Sequence, residues 1–577
     1  MMIRPRTRRT HAAGLPAYVL GGLLAVLAGC MSVGQQARFQ AADEPEKDRY
    51  EVETVGTKTS AVNAEPIPVG GVGLVEYLDG TGGEPPPDEN RARLEDNLRK
   101  RGEREVKKLL NSTESALVLV SGVIPPGTRK GDPIDIEVRV PRGNPATSLR
   151  GGVLRECVLR NYTTMQQLTP GRNGNGLVDG HPLVVAEGPV LVGLGDKDDD
   201  SRLKTGRIWG GGRSKIDLPY NLVLNGDQQL ASMAKLVADR INMTFLGQTR
   251  TTPNSTIATP RVDAASATIA LAAPAQYRQN YPRFLRVVRL IPLREPGAGG
   301  LEGSPTAAVP YRHKLQEDLR DPARCVVAAL RLEALGAPAV PLLKDVLRQS
   351  DNPLVRFCAA EALSYLGSPA GAEELADAAK RSPTLRAFAL TALASLDEAA
   401  CQEALQNLVA EATDDEARYG AFRALRLMNE RNPLVRGEHL NDSFWLHTVK
   451  GGNRPMVHLT TVKRAEVALF DEPGLVPPFS LPCGHFVLTA GADDATCIVS
   501  LVEAGAEPVR KQCSLKVADI LRTMAALGAT YPDAMDLLRQ GQQLKLLSGP
   551  VRVDALPRAV PVEELAQMGR TGGLTQE

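Results

Sequence analysis

Between residues 318 and 435 the chain repeats itself, and that repetition limits what it can fold into more than any other feature. Cys325, Arg356, Arg386 and Arg418 follow one another at intervals of 31, 30 and 32 residues. Each is followed three residues later by Ala (Ala328, Ala359, Ala389, Ala421). At +7 stands Leu (Leu332, Leu363, Leu393, Leu425), and at +10 Leu or Met (Leu335, Leu366, Leu396, Met428). The spacing predicts one helical hairpin per copy. A single hairpin cannot bury its apolar stripe, so the copies must stack on their neighbours. Small Ala at fixed positions lets the helices approach closely. The clearest copy reads VRFCAAEALSYLG, Val355 to Gly367.

This array resembles the short form of the HEAT repeat. In such repeats, residues at the register of Arg356, Arg386 and Arg418 more often make structural hydrogen bonds than ligand contacts. The alternative is a helical bundle without repeats.

The texture on either side is different. Ile134, Ile136, Val138 and Val140 alternate with charged residues, the pattern of a half-buried strand. Ala116–Val120, Leu183–Ala186, Ile216–Leu224 and Phe284–Ile291 read as further strands. A helix is expected after Asn225 or Asp227 as cap, with Leu230, Met233, Ala234, Val237 and Ile241 on one face. Beyond the array, Val467–Phe470, Phe486–Thr489, Ile498–Val502 and Val551–Val553 read as strands. Ser514 is placed to cap a helix that ends near Gly528, and Pro532 suits the first turn of the next. The fold class expected is α+β: a mixed core and a C-terminal domain, interrupted by an all-α solenoid.

The N-terminus reads as an export signal. Arg4, Arg6, Arg8 and Arg9 precede an apolar run, Gly14 to Leu27, too short for a comfortable membrane span. The run ends in Leu27-Ala28-Gly29-Cys30, which resembles the lipobox of bacterial lipoproteins, so Cys30 is the expected lipidation site. The chain then divides into a signal (1–30), a tether (31–66), a core (67–296), a linker (297–317), the repeats (318–435), a C-terminal domain (436–565) and a frayed tail (566–577).

A formal net charge of +1 and 4% aromatic residues argue against nucleic-acid binding. Besides Cys30 there are seven cysteines, and one disulfide among Cys483, Cys497 and Cys513 is plausible in an exported chain. Metal ligation is not expected, since Cys483-Gly484-His485 stands without a CxxC pair. The acidic run Gly195–Asp200 lacks the Gly and Glu of a calcium loop, where Ser201 and Arg207 stand instead. With no nucleophile motif either, no catalytic residue and no cofactor are assigned.

Val69 to Gly83, VGGVGLVEYLDGTGG, could carry a phosphate or turn between strands. Gly71-Val72-Gly73 lacks the third glycine of a dinucleotide fingerprint, and no Lys follows Gly82 or Gly83 as a P-loop requires. That leaves a strand, Gly73 to Leu78, with Asp79-Gly80 as a turn signal.

The same stretch resembles the opening motif of the bacterial flagellar P-ring protein family, "GYGLVVGLDGTG". Other segments follow in order. VIPPGTRKGDPID (Val123–Asp135) is similar to "LPPFARPGQRID", and SLRGGVL (Ser148–Leu154) to "SLRGGTL". The strand and helix from Leu222 to Met243 and the C-terminal stretch Ala518–Val553 resemble the family's as well. The resemblance implies a non-enzymatic periplasmic subunit that forms a ring around the flagellar rod, with itself, rod and L-ring proteins as partners. Gly73, Asp79, Gly80, Thr81, Gly82, Leu149, Arg150, Gly151 and Gly152 are then motif residues serving assembly or turns. The helical repeats and Cys30 depart from the family, which leaves an alternative: a lipid-anchored envelope scaffold that binds a protein along the repeats.

If Cys30 accepts a diacylglycerol, a fatty-acid analogue fed to the cells will label the wild-type chain. Cys30→Ser will lose the label and leave the membrane fraction. Equal labelling of both would remove the lipoprotein assignment.

Overall fold

Six antiparallel strands close into a barrel. They are β2 (Ile67–Glu76), β3 (Ala116–Ile124), β4 (Pro133–Arg139), β5 (Val153–Thr164), β6 (Leu177–Pro189) and β8 (Thr205–Ser214), in the order β4-β3-β2-β5-β6-β8. Closure comes from β4, which pairs with both β3 and β8. The short β7 (Leu191–Val192) adds to β8. This computed structural model describes residues 50, 52–164, 177–192, 203–225, 230–245, 257–262, 267–294, 308–452, 454–461, 464–502, 507–557, 559 and 565. Cys30, the acidic run Gly195–Asp200 and Asp227 lie outside the described residues.

The glycines of β2 serve the barrel. Val69 and Val75 belong to the barrel's apolar interior, whereas Leu74 belongs to a separate outer cluster. Gly71 and Gly73 share the inward face. A Cβ on Gly73 would stand 2.9 Å from both Leu154 Cδ1 and Val120 Cγ2, and one on Gly71 would stand 2.8 Å from the Val158 carbonyl. Absent side chains let the neighbouring strands approach. The strand is therefore longer than the Gly73–Leu78 expected, and Asp79-Gly80 leads into a loop rather than a hairpin. After the short α1 (Val55–Lys58), the outer face of β2 is covered by α2 (Glu89–Lys100) through Leu94 and Leu98, and α3 (Val106–Leu110) joins the same cluster through Val106 and Leu110.

A second sheet carries β1 (Thr59–Val62), β9 (Tyr220–Leu224), β11 (Ala267–Leu271) and β10 (Ala258–Val262), in that order. Helices α4 (Ala231–Phe245) and α5 (Tyr281–Leu290) share its apolar cluster. Helix α5 corrects the strand expected over Phe284–Ile291. Its buried residues Phe284, Leu285, Val287 and Val288 follow helical spacing, and Asn280 caps it by accepting from Arg283 N (3.2 Å). In α4, Ala234, Val237 and Ile241 are buried as expected, but Leu230 precedes the helix and is 62% exposed. Asn225 does not cap α4, which begins at Ala231; its side chain accepts from Ser60 Oγ (2.7 Å) instead.

The repetitive segment is helical throughout: α6 (Ala308–Arg320), α7 (Cys325–Ala334), α8 (Val340–Gln349), α9 (Pro353–Tyr365), α10 (Ala372–Arg381), α11 (Pro383–Ala394), α12 (Ala399–Glu411) and α13 (Asp415–Met428). Boundaries follow local chemistry. Asn352 caps α9 by accepting from Leu354 N (3.0 Å), with Pro353 at the first helical position. Gly367, at φ +81°, ends that hairpin arm. Ala328, Ala359, Ala389 and Ala421 are all fully buried, as are Leu332, Leu363 and Leu393. One continuous cluster runs from Val55 and Ile269 through these residues to Phe470.

The registered arginines bind main chain. Each reaches a carbonyl in the last turn of the preceding helix: Arg356 to Leu347 (3.2 Å), Arg386 to Ala379 (2.9 Å) and Arg418 to Val409 (3.2 Å). Those carbonyls have no partner within their own helix. Each arginine also pairs with an acid further along, Arg356 with Glu374 (2.7 Å), Arg386 with Asp414 (3.2 Å) and Arg418 with Asp471 (3.0 Å). Cys325 holds the same register without a charge, and its thiol donates to the Pro322 carbonyl (3.4 Å).

Asp471 belongs to the C-terminal part. There β12 (Gly437–Leu440), β13 (Phe444–Val449), β15 (Glu466–Phe470), β14 (Met456–Thr460) and β20 (Val551–Val553) form a mixed sheet in that order. Four strands, β16 (Phe479–Cys483), β17 (Phe486–Ala490), β18 (Thr496–Leu501) and β19 (Val509–Ser514), form an antiparallel meander. Helices α14 (Val517–Ala525) and α15 (Tyr531–Gln543) complete the core. Ser514 does not cap α14 but ends β19, three residues before the helix, where its hydroxyl donates to Asp519 (2.6 Å). The architecture is α+β.

Arg418 is 1% exposed and Asp471 9%, whereas Arg356 is 36% exposed beside Glu374. Breaking a buried pair strands its partner, so Arg418→Ala is expected to cost about 3–5 kcal/mol. Arg356→Ala, at a half-open pair, should cost about 1 kcal/mol. Denaturant melts measure both, and equal losses would contradict this account.

Candidate functional site: two glycine-rich loops and their C-terminal partner

The loop after β2 and the turn before β5 form one site. Thr81 Oγ1 donates to the Ser148 carbonyl (2.8 Å), and Thr147 N donates back to the Thr81 carbonyl (2.8 Å). Leu78 N bonds to the Glu114 carbonyl (2.9 Å), Gly82 N to Thr113 (2.8 Å) and Gly83 N to Ser115 (3.0 Å). These amides are spent on neighbouring main chain, which is why they do not form an anion cradle. Close packing against main chain accounts for the glycine at position 82. A Cβ on Gly82 would stand 2.2 Å from the Ser115 carbonyl oxygen.

The second loop is tied equally firmly. Leu149 is fully buried, and its N–H donates to the Leu203 carbonyl (2.9 Å). Gly151 holds φ +76° with nothing near its missing Cβ, so there the requirement is conformational. Gly152 differs, because a Cβ would lie 2.4 Å from Val75 Cγ1 and 2.7 Å from Leu78 Cδ2. Asp79 and Gly80 are exposed at the loop's tip, with Gly80 at φ +67°. Gly73 lies apart, in the barrel wall.

Arg150 leaves this pair of loops and bonds to Asp533, 383 residues away. Asp533 is already the pivot of a capping box: its Oδ2 accepts from Thr530 N (2.8 Å) and Thr530 Oγ1 (2.8 Å), which leaves Oδ1 for the arginine. Gly484, at φ +60°, completes the contact. A Cβ there would stand 2.9 Å from both Arg150 Nη2 and Asp533 Oδ1. Close by in sequence, Trp209 of β8 meets Tyr531 of α15 edge to face at 6.0 Å. Sequence reasoning missed Asp533 and Gly484 as partners. The signal for Asp533 was present in Thr530-x-x-Asp533, a capping pattern, but nothing local points to Arg150.

Tyr77 was also missed. It holds φ +66°, a strained region for a bulky residue, and its side chain is 75% exposed. In the motif it resembles, "VVGLDG", a glycine occupies this place.

This construction joins segments; among the described residues, no group of His, Cys, Asp and Glu is placed to hold a metal. Residues 59–297 match the model of the flagellar P-ring protein family. The match takes in the barrel, both loops and the second sheet, stops before the helical array, and does not include Asp533. No curated protein matches the chain.

Two substitutions separate strain from packing. Tyr77→Gly should stabilise the chain by about 1 kcal/mol, because glycine reaches positive φ without the Cβ clash. Gly82→Val should destabilise by about 3 kcal/mol, through overpacking against main chain. Thermal melts test both. A neutral Gly82→Val would show that the loop can move away.

Proposed function

We propose that the chain is a structural subunit of an envelope ring of the flagellar P-ring type, assembled in the periplasm around a rod. The observation that carries this reading is the family match over residues 59–297. The Arg150–Asp533 contact supports it from a second side. It joins the SLRGG loop of the matched region to the C-terminal segment that resembles the family's end. A helical array lying between them in sequence therefore interrupts one ring-type body.

The finer assignments belong to the same proposal. The subunit associates with copies of itself, and with rod and L-ring proteins. Cys30 anchors it to a membrane by lipid. The array is a HEAT-like insertion that widens the subunit, and the motif glycines hold the shape that neighbouring copies meet.

Electron microscopy of the exported, detergent-extracted protein tests this. Closed rings of uniform diameter are expected. A chain that stays monomeric at every concentration, with and without its lipid, would overturn the ring reading in favour of a lipid-anchored scaffold.

A further inference from the structure

The four-stranded meander brings two cysteines directly opposite each other. Cys497 on β18 and Cys513 on β19 are register partners in an antiparallel pair. Their sulfurs are 3.4 Å apart, both as free thiols. Directly opposed residues on antiparallel strands have Cα atoms about 4.5–5.5 Å apart, within the range a disulfide spans. We propose that Cys497 and Cys513 are a disulfide-forming pair that locks the edge strand β19 to its sheet.

The third cysteine of this region is excluded by topology. Cys483 lies on β16, and β17 stands between it and β18. Two strand spacings amount to roughly 9–10 Å, beyond the reach of a disulfide without backbone movement. A second close pair, Cys325 and Cys358, has its sulfurs 3.7 Å apart. Both residues are buried in the array, at 0% and 3% exposure, where a disulfide reagent has no path to them. Cys157, Cys401 and Cys483 are buried too, and burial pushes their thiols up to about 12, 11 and 12.

Cys513 is the entry point, being half-buried where Cys497 is fully buried. A hydrogen bond from the Cys497 thiol lowers its pKa to about 7 against the effect of burial, with Thr523 helping. The oxidant is a small-molecule or protein disulfide. The Cys513 thiolate attacks one of its sulfurs, a mixed disulfide forms, and one oxidant thiolate leaves with the proton Cys513 gave up. Cys497 then loses its proton and attacks the Cys513 sulfur. The bond to the oxidant breaks, and its second thiolate leaves and takes that proton. Two thiols become one disulfide, and the oxidant disulfide becomes two thiols.

The bond matters because β19 ends the sheet order and Val509, Arg510, Lys511 and Gln512 are all exposed. An exposed edge can peel away or pair with another chain. A cross-link to β18 fixes its register.

The pair itself is tested on the purified, reduced full-length chain, equilibrated in glutathione disulfide and glutathione, quenched with acid, alkylated in denaturant and mapped by mass spectrometry. The expected result is one linked peptide pair, Cys497 to Cys513, two hydrogens lighter than the separate peptides, with the other cysteines alkylated. Thermal melting should fall by a few degrees on reduction. Cys497→Ala should stop at a glutathione adduct on Cys513, whereas Cys513→Ala should leave Cys497 a thiol. Alkylation of both residues at every redox ratio, or linkage of Cys513 to another cysteine, would overturn the proposal. The state in the cell rests on the export reading above, and the two failures are distinguishable. A bond that forms in the purified chain but is absent from envelope fractions contradicts export and leaves the pair standing.

Discussion

Arg283 lies between two glutamates in the interior, and the relative placement of the chain's parts depends on it. Its guanidinium bonds to Glu333 on α7 (2.6 Å) and to Glu361 on α9 (2.6 Å), while the arginine itself belongs to α5. Burial works against its charge, and the two carboxylates outweigh that and hold its pKa well above the ordinary value. Tyr277 donates to Glu333 (2.7 Å), and the ring of Tyr365 lies beneath the cation at 4.6 Å. A buried cluster of this kind adds little net stability, because desolvation offsets most of its attraction. It does penalise every other arrangement, since any displacement would strand a charge in an apolar core. The second sheet and the first two hairpins are thus held in one register.

From that point the remaining contacts follow in sequence. The second and third hairpins each pair an arginine with an acid of the next, and the last one, Arg418, bonds to Asp471 and to the Arg454 carbonyl (2.9 Å) instead of another hairpin. Tyr419 donates to buried Glu466 (3.1 Å), which also accepts from Arg426. Beside them His458 stacks on Tyr419 at 3.3 Å, and burial lowers its pKa to about 3, so it stays neutral. The C-terminal sheet placed in this way carries α15, whose Asp533 returns to Arg150 beside the barrel.

The array was legible because its signal is repeated: Ala and Leu recur at fixed register, and each copy confirms the next. Strands such as Pro133–Arg139 were legible through alternation. Phe284–Ile291 was misread because a run rich in Val, Leu and Phe fits a strand or a buried helix when it is this short. Its cap, Asn280, was the better guide. Helix α2 went unassigned because only Leu94 and Leu98 are buried in it, and its remaining residues are mostly charged or polar. At the site, local sequence told what the glycines were not, by the residues missing from two phosphate motifs. It could not tell what they were for. Gly82 faces the carbonyl of Ser115, and Arg150 faces Asp533, and those partners are set by barrel closure and by the return of the C-terminus.

The array joins the second sheet to the C-terminal sheet, and the barrel also meets the C-terminal part directly. Arg150 with Asp533 and Trp209 with Tyr531 join the two directly. Leu191 and Trp209 of the barrel's margin also pack against the C-terminal apolar cluster. A segment inserted between two parts that already bind each other need only begin and end near that junction. Lengthening such a connection raises the closure entropy slowly, by about 0.6 kcal/mol per doubling for a flexible loop. The array is folded, and its apolar core, continuous with those of the second sheet and the C-terminal sheet, offsets that cost. This explains how the repeats can be accommodated without disturbing the loops around Gly82 and Arg150.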